Sequence, residues 1–168
     1  MPLNKNFRTM KKTLIIIAAA AALLGFGCKK EICGCAPPPG SGDFEYFIFG
    51  TAYGECSGDC AKIFRLEGGK LFADDGLEYF IYKDEVPFQT TSLSAEKVDI
   101  AAELSQQFPM ALLEEANGSI GCPDCRDQGM VFVKVKTADG QVRFWFIDPD
   151  EAKYAAFYKA VQEAVGKM

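Results

Sequence analysis

The chain of 168 residues contains no histidine. This absence excludes nucleophiles activated by histidine, general acid–base catalysis by imidazole, and metal sites that need an imidazole ligand. The sequence also lacks a glycine-rich phosphate loop and a dinucleotide-binding fingerprint. These absences favour a non-catalytic protein over an enzyme, and we expect neither a catalytic residue, a cofactor nor a bound metal.

Basic residues are scarce outside the N-terminus. Residues 1–28 hold four of the 18 Lys and Arg and none of the 23 Asp and Glu, so the remainder carries a net charge of −9. Such an acidic domain repels phosphate backbones, and no basic stripe offsets this repulsion. The composition therefore excludes nucleic acid as a partner.

A basic segment followed by an apolar run marks the N-terminus. Two lysines precede the apolar residues 14–27, and the run ends at Cys28. These 14 residues are too few for a transmembrane helix, which needs about 20, but suffice for the core of a signal peptide. The small residues before Cys28 resemble the lipobox of bacterial lipoproteins, although Leu24 lies one position too far away. The sequence predicts a lipoprotein signal peptide over 1–27, and the Met-Lys-Lys start of a conventional signal suggests Met10 as the true first residue.

Cys28 is the predicted lipidation site. Two or three acyl chains, palmitate among them, would anchor the protein stably to a membrane because each buried CH₂ contributes about 0.8 kcal/mol. Lys29, in place of the aspartate that retains enteric lipoproteins at the inner membrane, favours the outer membrane by analogy. A buried N-terminal helix and an ordinary cleaved signal are the alternatives. The face of the membrane, the oligomeric state and any protein or glycan partner stay open.

A change in composition separates the anchor from a folded domain. Residues 28–43 contain three consecutive prolines and three glycines, which is typical of a tether. The remaining residues, 44–168, have the length of one ordinary domain. We therefore expect a single α+β domain over 44–168.

The strands of this domain are indicated by alternating apolar residues and by turns. Residues 44–49 and 79–82 are rich in aromatic residues and predict strands. Residues 62–66 and 70–73 flank a Gly-Gly turn, and 130–136 and 142–147 flank Asp-Gly, so each pair predicts a hairpin. The expected sheet has about five to six strands and is mainly antiparallel.

Two helical segments complete the domain. Ser94 suits the N-cap of a helix that Pro109 ends, and a shorter helix follows over 110–116 until Asn117-Gly118 forms a turn. Asp148, Pro149 and Glu151 suit the cap, first turn and capping box of a C-terminal amphipathic helix. The apolar stripe of that helix consists of Tyr154, Phe157, Val161 and Val165. We therefore predict a two-part middle helical segment and a C-terminal helix packed on one face of the sheet.

The cysteines are the most unusual chemical feature of the domain. Cys56 and Cys60 are separated by three residues, and Cys122 and Cys125 by two. An exported protein meets oxidising conditions, so these four residues are disulfide candidates. A local pair would contribute about 2 kcal/mol, and a crosslink between the two segments about 4 kcal/mol. The sequence does not choose between the pairings, nor does it assign a role to Cys33 and Cys35 in the tether.

Three alternative chemistries stay open for these segments. Cys122 and Cys125 have the spacing of a thioredoxin-like redox pair, although they follow a helix and precede a strand. All four cysteines could instead form a four-thiolate metal site. Asp124 and Asp127, with Asp59 nearby if the two segments meet, could bind a calcium ion, but solvated turn residues of this kind are far more common.

Two segments carry a resemblance to a protein family. Residues 53–66 contain Tyr-Gly-Glu-Cys-Ser-Gly-Asp-Cys, and residues 120–129 contain Gly-Cys-Pro-Asp-Cys. With the strand end at 144–148, they resemble a family of Bacteroidota lipoproteins for which no activity is assigned. The resemblance covers most of residues 44–165. It implies an envelope lipoprotein with paired cysteines and no catalytic residue.

Overall fold

A computed structural model describes residues 44–54, 60–75 and 86–168. They lie within Pro37–Met168, one of the two units into which the chain divides. The predicted signal peptide, Cys28 and the tether lie outside the described residues. So does the strand predicted over 79–82.

The described residues form a six-stranded mixed sheet in the order β3-β2-β1-β5-β6-β4. Its strands are β1 (Phe44–Ala52), β2 (Ala61–Glu67), β3 (Lys70–Ala73), β4 (Gly118–Ile120), β5 (Met130–Thr137) and β6 (Val142–Ile147). Neighbouring strands are antiparallel except β4, which pairs parallel to β6. The predicted α+β class and both predicted hairpins are therefore confirmed.

The short strand β4 replaces part of the turn predicted at Asn117-Gly118. Gly118 pairs with Trp145 and Ile120 pairs with Ile147. The Asn117 side chain supports the start of β4 because its Oδ1 accepts the Nε–H of Arg143 at 2.8 Å. The local sequence reads as a turn since the pairing partner lies 27 residues further along the chain.

Two α-helices flank this sheet: α1 (Ala95–Gln106) and α2 (Ala155–Gly166). Short 3-10 turns at Met110–Glu114 and Ala152–Tyr154 complete the helical segments, so the second part of the middle segment is tighter than an α-helix. No helix among the described residues is long and apolar enough to cross a membrane.

The start of the C-terminal helical segment differs from the prediction. Helical geometry begins at Ala152, and the Glu151 side chain accepts the N–H of Lys153 at 3.3 Å. Asp148 was predicted as the cap, but it lies four residues before this turn. Its carboxylate instead accepts the N–H of Cys122 through Oδ2.

Both helices pack on one face of the sheet. Phe47, Phe49, Val133 and Trp145 project from the strands into a core that also contains the predicted apolar stripe of α2. Phe108, which is 2% exposed, lies at the centre of this core. Its ring centroid is 5.0 to 6.3 Å from four aromatic rings, namely those of Phe44, Phe47, Trp145 and Phe157.

The second face of the sheet is apolar as well. Ile48, Phe132 and Phe146 are buried there because side chains alternate between faces along each strand. Val86 and Phe88 pack against this cluster. The strands therefore carry apolar residues on both faces, which explains the high aromatic content of the sequence.

The β3 edge of the sheet is covered by the chain that precedes α1. The N–H of Leu93 donates to the carbonyl of Leu71 at 2.8 Å, and the N–H of Gln89 donates to that of Ala73 at 2.9 Å. The Ser92 hydroxyl accepts the N–H of Leu71 at 3.3 Å. The other edge, β4, is only three residues long.

Candidate functional site

Tyr53, Gly54 and Cys60, which flank the first cysteine segment, lie at the same end of the sheet as the second segment. Ala52, the last residue of β1, pairs with Ala61 at the start of β2 and with Met130 at the start of β5. The described ends of the connection between β1 and β2 therefore lie beside the end of the connection between β4 and β5. The N–H of Tyr53 donates to the carbonyl of Cys60 at 2.9 Å and closes the first of these connections.

The connection from β4 to β5, residues 121–129, is here named the CPDC loop. A disulfide joins Cys122 and Cys125, whose Cα atoms are 5.6 Å apart, so the predicted presence of a disulfide bond is confirmed. Both residues are exposed. The N–H of Cys125 also donates to the carbonyl of Cys122 at 3.3 Å, so the pair closes a tight turn.

Cys60 is also in a disulfide. Because Cys122 and Cys125 pair with each other, Cys60 pairs with neither of them. A crosslink from Cys60 to the CPDC loop is therefore not formed. Three sulfurs of the four-thiolate alternative are in disulfides and are not thiolate ligands in this structure.

Asp124 links the CPDC loop to the end of β1. Its backbone is left-handed, with φ of 59°, which aspartate tolerates better than most residues. Its Oδ1 accepts the N–H of Gly129 at 2.7 Å. Its Oδ2 accepts the N–H of Gly54, across 70 residues of sequence. One carboxylate therefore holds two backbone segments together.

Asp148 links the same loop to the end of β6. It is buried, and its Oδ2 accepts the N–H of Cys122 at 2.7 Å while its Oδ1 accepts the N–H of Asp150 at 2.9 Å. These backbone donors, first that of Asp150 and then that of Cys122, lower the pKa of the Asp148 carboxyl. The ionised side chain therefore fixes the first cysteine of the loop.

Close packing leaves no room for side chains at two loop glycines. A Cβ atom on Gly121 would lie 2.7 Å from Cβ of Asp148, and one on Gly129 would lie 2.5 Å from Cε1 of Tyr53. Both glycines have left-handed backbones. The ring of Tyr53 thus lies directly on the loop, although 48% of the residue remains exposed.

The far side of the CPDC loop faces α2. Exposed Arg126 forms an ion pair with Asp150, and the amide of Gln128 donates to the carbonyl of Cys122 at 3.2 Å. The pKa of Tyr158 is raised, first by burial and then by the charges of Tyr53, Asp148, Asp124 and Asp150.

An open depression of about 720 Å³ lies between the CPDC loop and α2. The residues that line it are Arg126, Gln128, Pro149, Asp150, Ala155, Tyr158, Lys159 and Gln162.

The carboxylates of this site are engaged in structure. Both oxygens of Asp124 and both oxygens of Asp148 accept backbone N–H groups. Within residues 44–54, 60–75 and 86–168, no group of three Cys, Asp or Glu side chains is placed to hold a metal ion. Asp124 and Asp127 therefore serve here as turn residues, and Asp59 lies outside the described residues.

A second polar cluster surrounds Glu115. Its Oε1 accepts the Nζ–H of Lys153 at 2.5 Å and the hydroxyl of Tyr154 at 2.9 Å. These two hydrogen bonds, that of Lys153 first, lower the pKa of the Glu115 carboxyl. Its backbone carbonyl accepts a hydrogen bond from the Arg143 guanidinium. The cluster joins the segment after α1 to the start of α2.

The sequence identified the cysteines of the site and missed its other anchors. Cys122, Cys125 and Cys60 are in disulfides, whereas Cys28, Cys33, Cys35 and Cys56 lie outside the described residues. The structural roles of Asp148 and Gly54 depend on contacts between distant parts of the chain. For Asp148, the local sequence offers one hint of a structural role, the Asp-Pro pair that follows β6. That pair fits a helix cap as well.

No family model, curated protein or solved structure matches this chain. Its function is therefore inferred from its own residues and geometry.

Proposed function

We propose that this chain is a lipid-anchored lipoprotein of the bacterial cell envelope, of the kind it resembles, with a non-catalytic binding or structural role. Its anchor is the acylated Cys28, its membrane is the outer membrane, and residues 29–43 form the tether. The basic segment and the 14-residue apolar run before Cys28 support this location. The disulfide between Cys122 and Cys125 is consistent with an oxidising compartment.

The structural role of the Asp124 and Asp148 carboxylates favours binding over catalysis. Asp124 and Asp148 each accept two backbone N–H groups, so both acids hold the loop in place. Negative charge beside the sulfurs also opposes the thiolate that a thiol–disulfide enzyme needs. The site is thus better suited to hold the loop against the sheet than to catalyse thiol–disulfide exchange.

The contact surface we propose comprises Tyr53, Gly54 and the CPDC loop, and we name it the tip surface. Tyr53 is half-exposed, and its aromatic ring packs against Gly129. Exposed aromatic residues are frequent energetic anchors of binding surfaces. A loop closed by a disulfide also loses little further conformational entropy on binding.

Metabolic labelling with a clickable fatty acid tests the anchor. We expect the full chain expressed in a bacterium to incorporate the label and to fractionate with membranes. Cys28→Ser should abolish both, whereas the matched tether variants Cys33→Ser and Cys35→Ser should retain both. Absence of label from the chain with Cys28 intact would refute the lipoprotein assignment.

The second candidate is a thiol–disulfide oxidoreductase that uses Cys122 and Cys125, which the exposure of both residues favours. A turnover assay with a disulfide substrate and an excess of dithiol separates the two functions. The binding module should give the background rate, and Cys122→Ser should not change it. Multiple turnovers that disappear in Cys122→Ser would establish the enzyme instead.

A further inference from the structure

We infer that the Cys122–Cys125 disulfide is a redox-sensitive link that controls how the end of β1 is held, and thereby the presentation of Tyr53. The inference rests on the proposed tip surface and adds a means of regulating it. It depends on a hydrogen-bond path from the disulfide through Asp124 to Gly54.

The disulfide is accessible to a reductant. Cys122 and Cys125 are both exposed, so an external thiolate can approach either sulfur without unfolding the sheet. Exposed disulfides are in general the labile and regulatory ones, in contrast to buried structural bonds. Accessibility is the first requirement for a redox-controlled link.

The disulfide also fixes the residue that contacts β1. Asp124 lies between the two cysteines and has a left-handed backbone. Closing the four-residue ring holds this strained conformation and directs the carboxylate at the N–H groups of Gly54 and Gly129. When the ring is open, Asp124 is free to leave the left-handed region, and its carboxylate then no longer reaches both donors.

The exposed amide of Gly54 depends on this contact. Gly54 follows Tyr53 directly, beyond the last ladder pair of β1 at Ala52. Loss of the Asp124 contact would leave Tyr53 attached through its own N–H to the carbonyl of Cys60 and through its ring to Gly129. The expected change is a more mobile Tyr53 on an unchanged sheet.

The redox step requires an external dithiol. One of its thiolates attacks a sulfur of the pair, the Cys122–Cys125 bond breaks, and a mixed disulfide forms. The second thiol of the reductant displaces the remaining cysteine sulfur and leaves as part of an oxidised, cyclic disulfide. Two electrons and two protons remain on Cys122 and Cys125, which become thiols.

Amide hydrogen exchange on the full chain in detergent micelles tests this link. In Cys122→Ser/Cys125→Ser, exchange at Gly54 and Gly129 should accelerate about tenfold, the equivalent of one lost hydrogen bond. Ile63 is the matched control, because its N–H also donates to a carboxylate, that of Asp74, at 2.7 Å. Its exchange should stay within about twofold of wild type. Unchanged exchange at Gly54 overturns the inference.

A second experiment tests the link even if the double variant is globally destabilised. Wild type and Asp124→Gly, which keeps the left-handed backbone without strain, are titrated with dithiothreitol while differential alkylation follows each cysteine pair. In wild type, Gly54 exchange should track reduction of Cys122–Cys125. In Asp124→Gly it should be fast throughout and insensitive to reduction. A persisting redox response in Asp124→Gly overturns the inference, and neither experiment depends on lipidation of Cys28.

Discussion

The backbone N–H of Cys122 donates to Oδ2 of Asp148 at 2.7 Å, although the two residues are 26 positions apart. The same carboxylate accepts the N–H of Asp150 through Oδ1, so one buried side chain joins the disulfide loop to the end of β6. Hydrogen bonds to a charged group contribute roughly 1.5 to 3 kcal/mol. Asp148 is therefore a main support of the site.

Asp148→Asn should destabilise the protein in a pH-dependent way. The folded-state pKa of Asp148 is lowered, so its carboxylate stabilises the fold above the ordinary pKa of 3.8 and loses this contribution as the pH falls through the lower, folded-state value. The difference in unfolding free energy between wild type and variant should be constant above about pH 5 and should shrink toward pH 2. Chemical denaturation across this range measures it.

A matched variant controls for the loss of one negative charge. Asp99→Asn changes an exposed residue on α1, and its effect should stay within about 0.5 kcal/mol. A pH-independent penalty for Asp148→Asn would show that the ionised carboxylate is not what stabilises the loop.

Gly121→Ala should destabilise the protein more than Gly140→Ala. Both residues have left-handed backbones, so alanine costs roughly 1 to 2 kcal/mol at either position. At Gly121 the new methyl group would also lie 2.7 Å from Cβ of Asp148, whereas the site around Gly140 is open. Crowding should add about 1 to 3 kcal/mol. Thermal and denaturant unfolding compare the two, and equal penalties would contradict the close packing at Gly121.

Cys122→Ser should lower the unfolding free energy by about 2 kcal/mol, the value for a four-residue disulfide ring. A crosslink spanning some 65 residues would have contributed about 4 kcal/mol, so the size of the loss distinguishes the local from the crossed pairing. Cys122→Ser/Cys125→Ser should match the single variant, since either substitution opens the ring. Urea unfolding under non-reducing conditions provides the measurement.

Phe108→Ala should cost about 3 to 5 kcal/mol, because it removes a fully buried ring at the centre of the aromatic cluster. Phe108→Leu retains most of the volume and should cost less. Val142→Ala is the surface control, since Val142 is exposed, and should change stability by less than about 0.5 kcal/mol. If Phe108→Ala unfolded like the surface control, Phe108 would not be central to the core.

The hairpins were predictable because their determinants are local. Gly68-Gly69 and Asp139-Gly140 supply the backbone conformations that tight turns need, and apolar residues alternate on either side. Strand β4 was not predictable, because three residues carry no periodicity and its partner on β6 is remote in sequence. Local signals therefore identified the elements but not the parallel edge.

The same distinction applies to the candidate site. The spacing of Cys122 and Cys125 was sufficient to suggest a pair, and that pair is formed. The partners of Asp124 and Asp148 could not be found in this way, since Gly54 is 70 residues from Asp124 and Cys122 is 26 from Asp148. Asp148 was instead assigned to a helix cap, because Asp-Pro-Asp-Glu fits that pattern equally well.

The covered strand β3 and the three-residue strand β4 limit how the sheet can extend from one molecule to the next when molecules are crowded. An open strand edge is a template on which a second sheet can grow, and crowding on a surface would promote such growth. Here the backbone groups of Leu71 and Ala73 are already bonded to the segment before α1, and β4 offers too short a stretch for a stable junction. Many copies side by side should therefore resist growth of a shared sheet from these two edges.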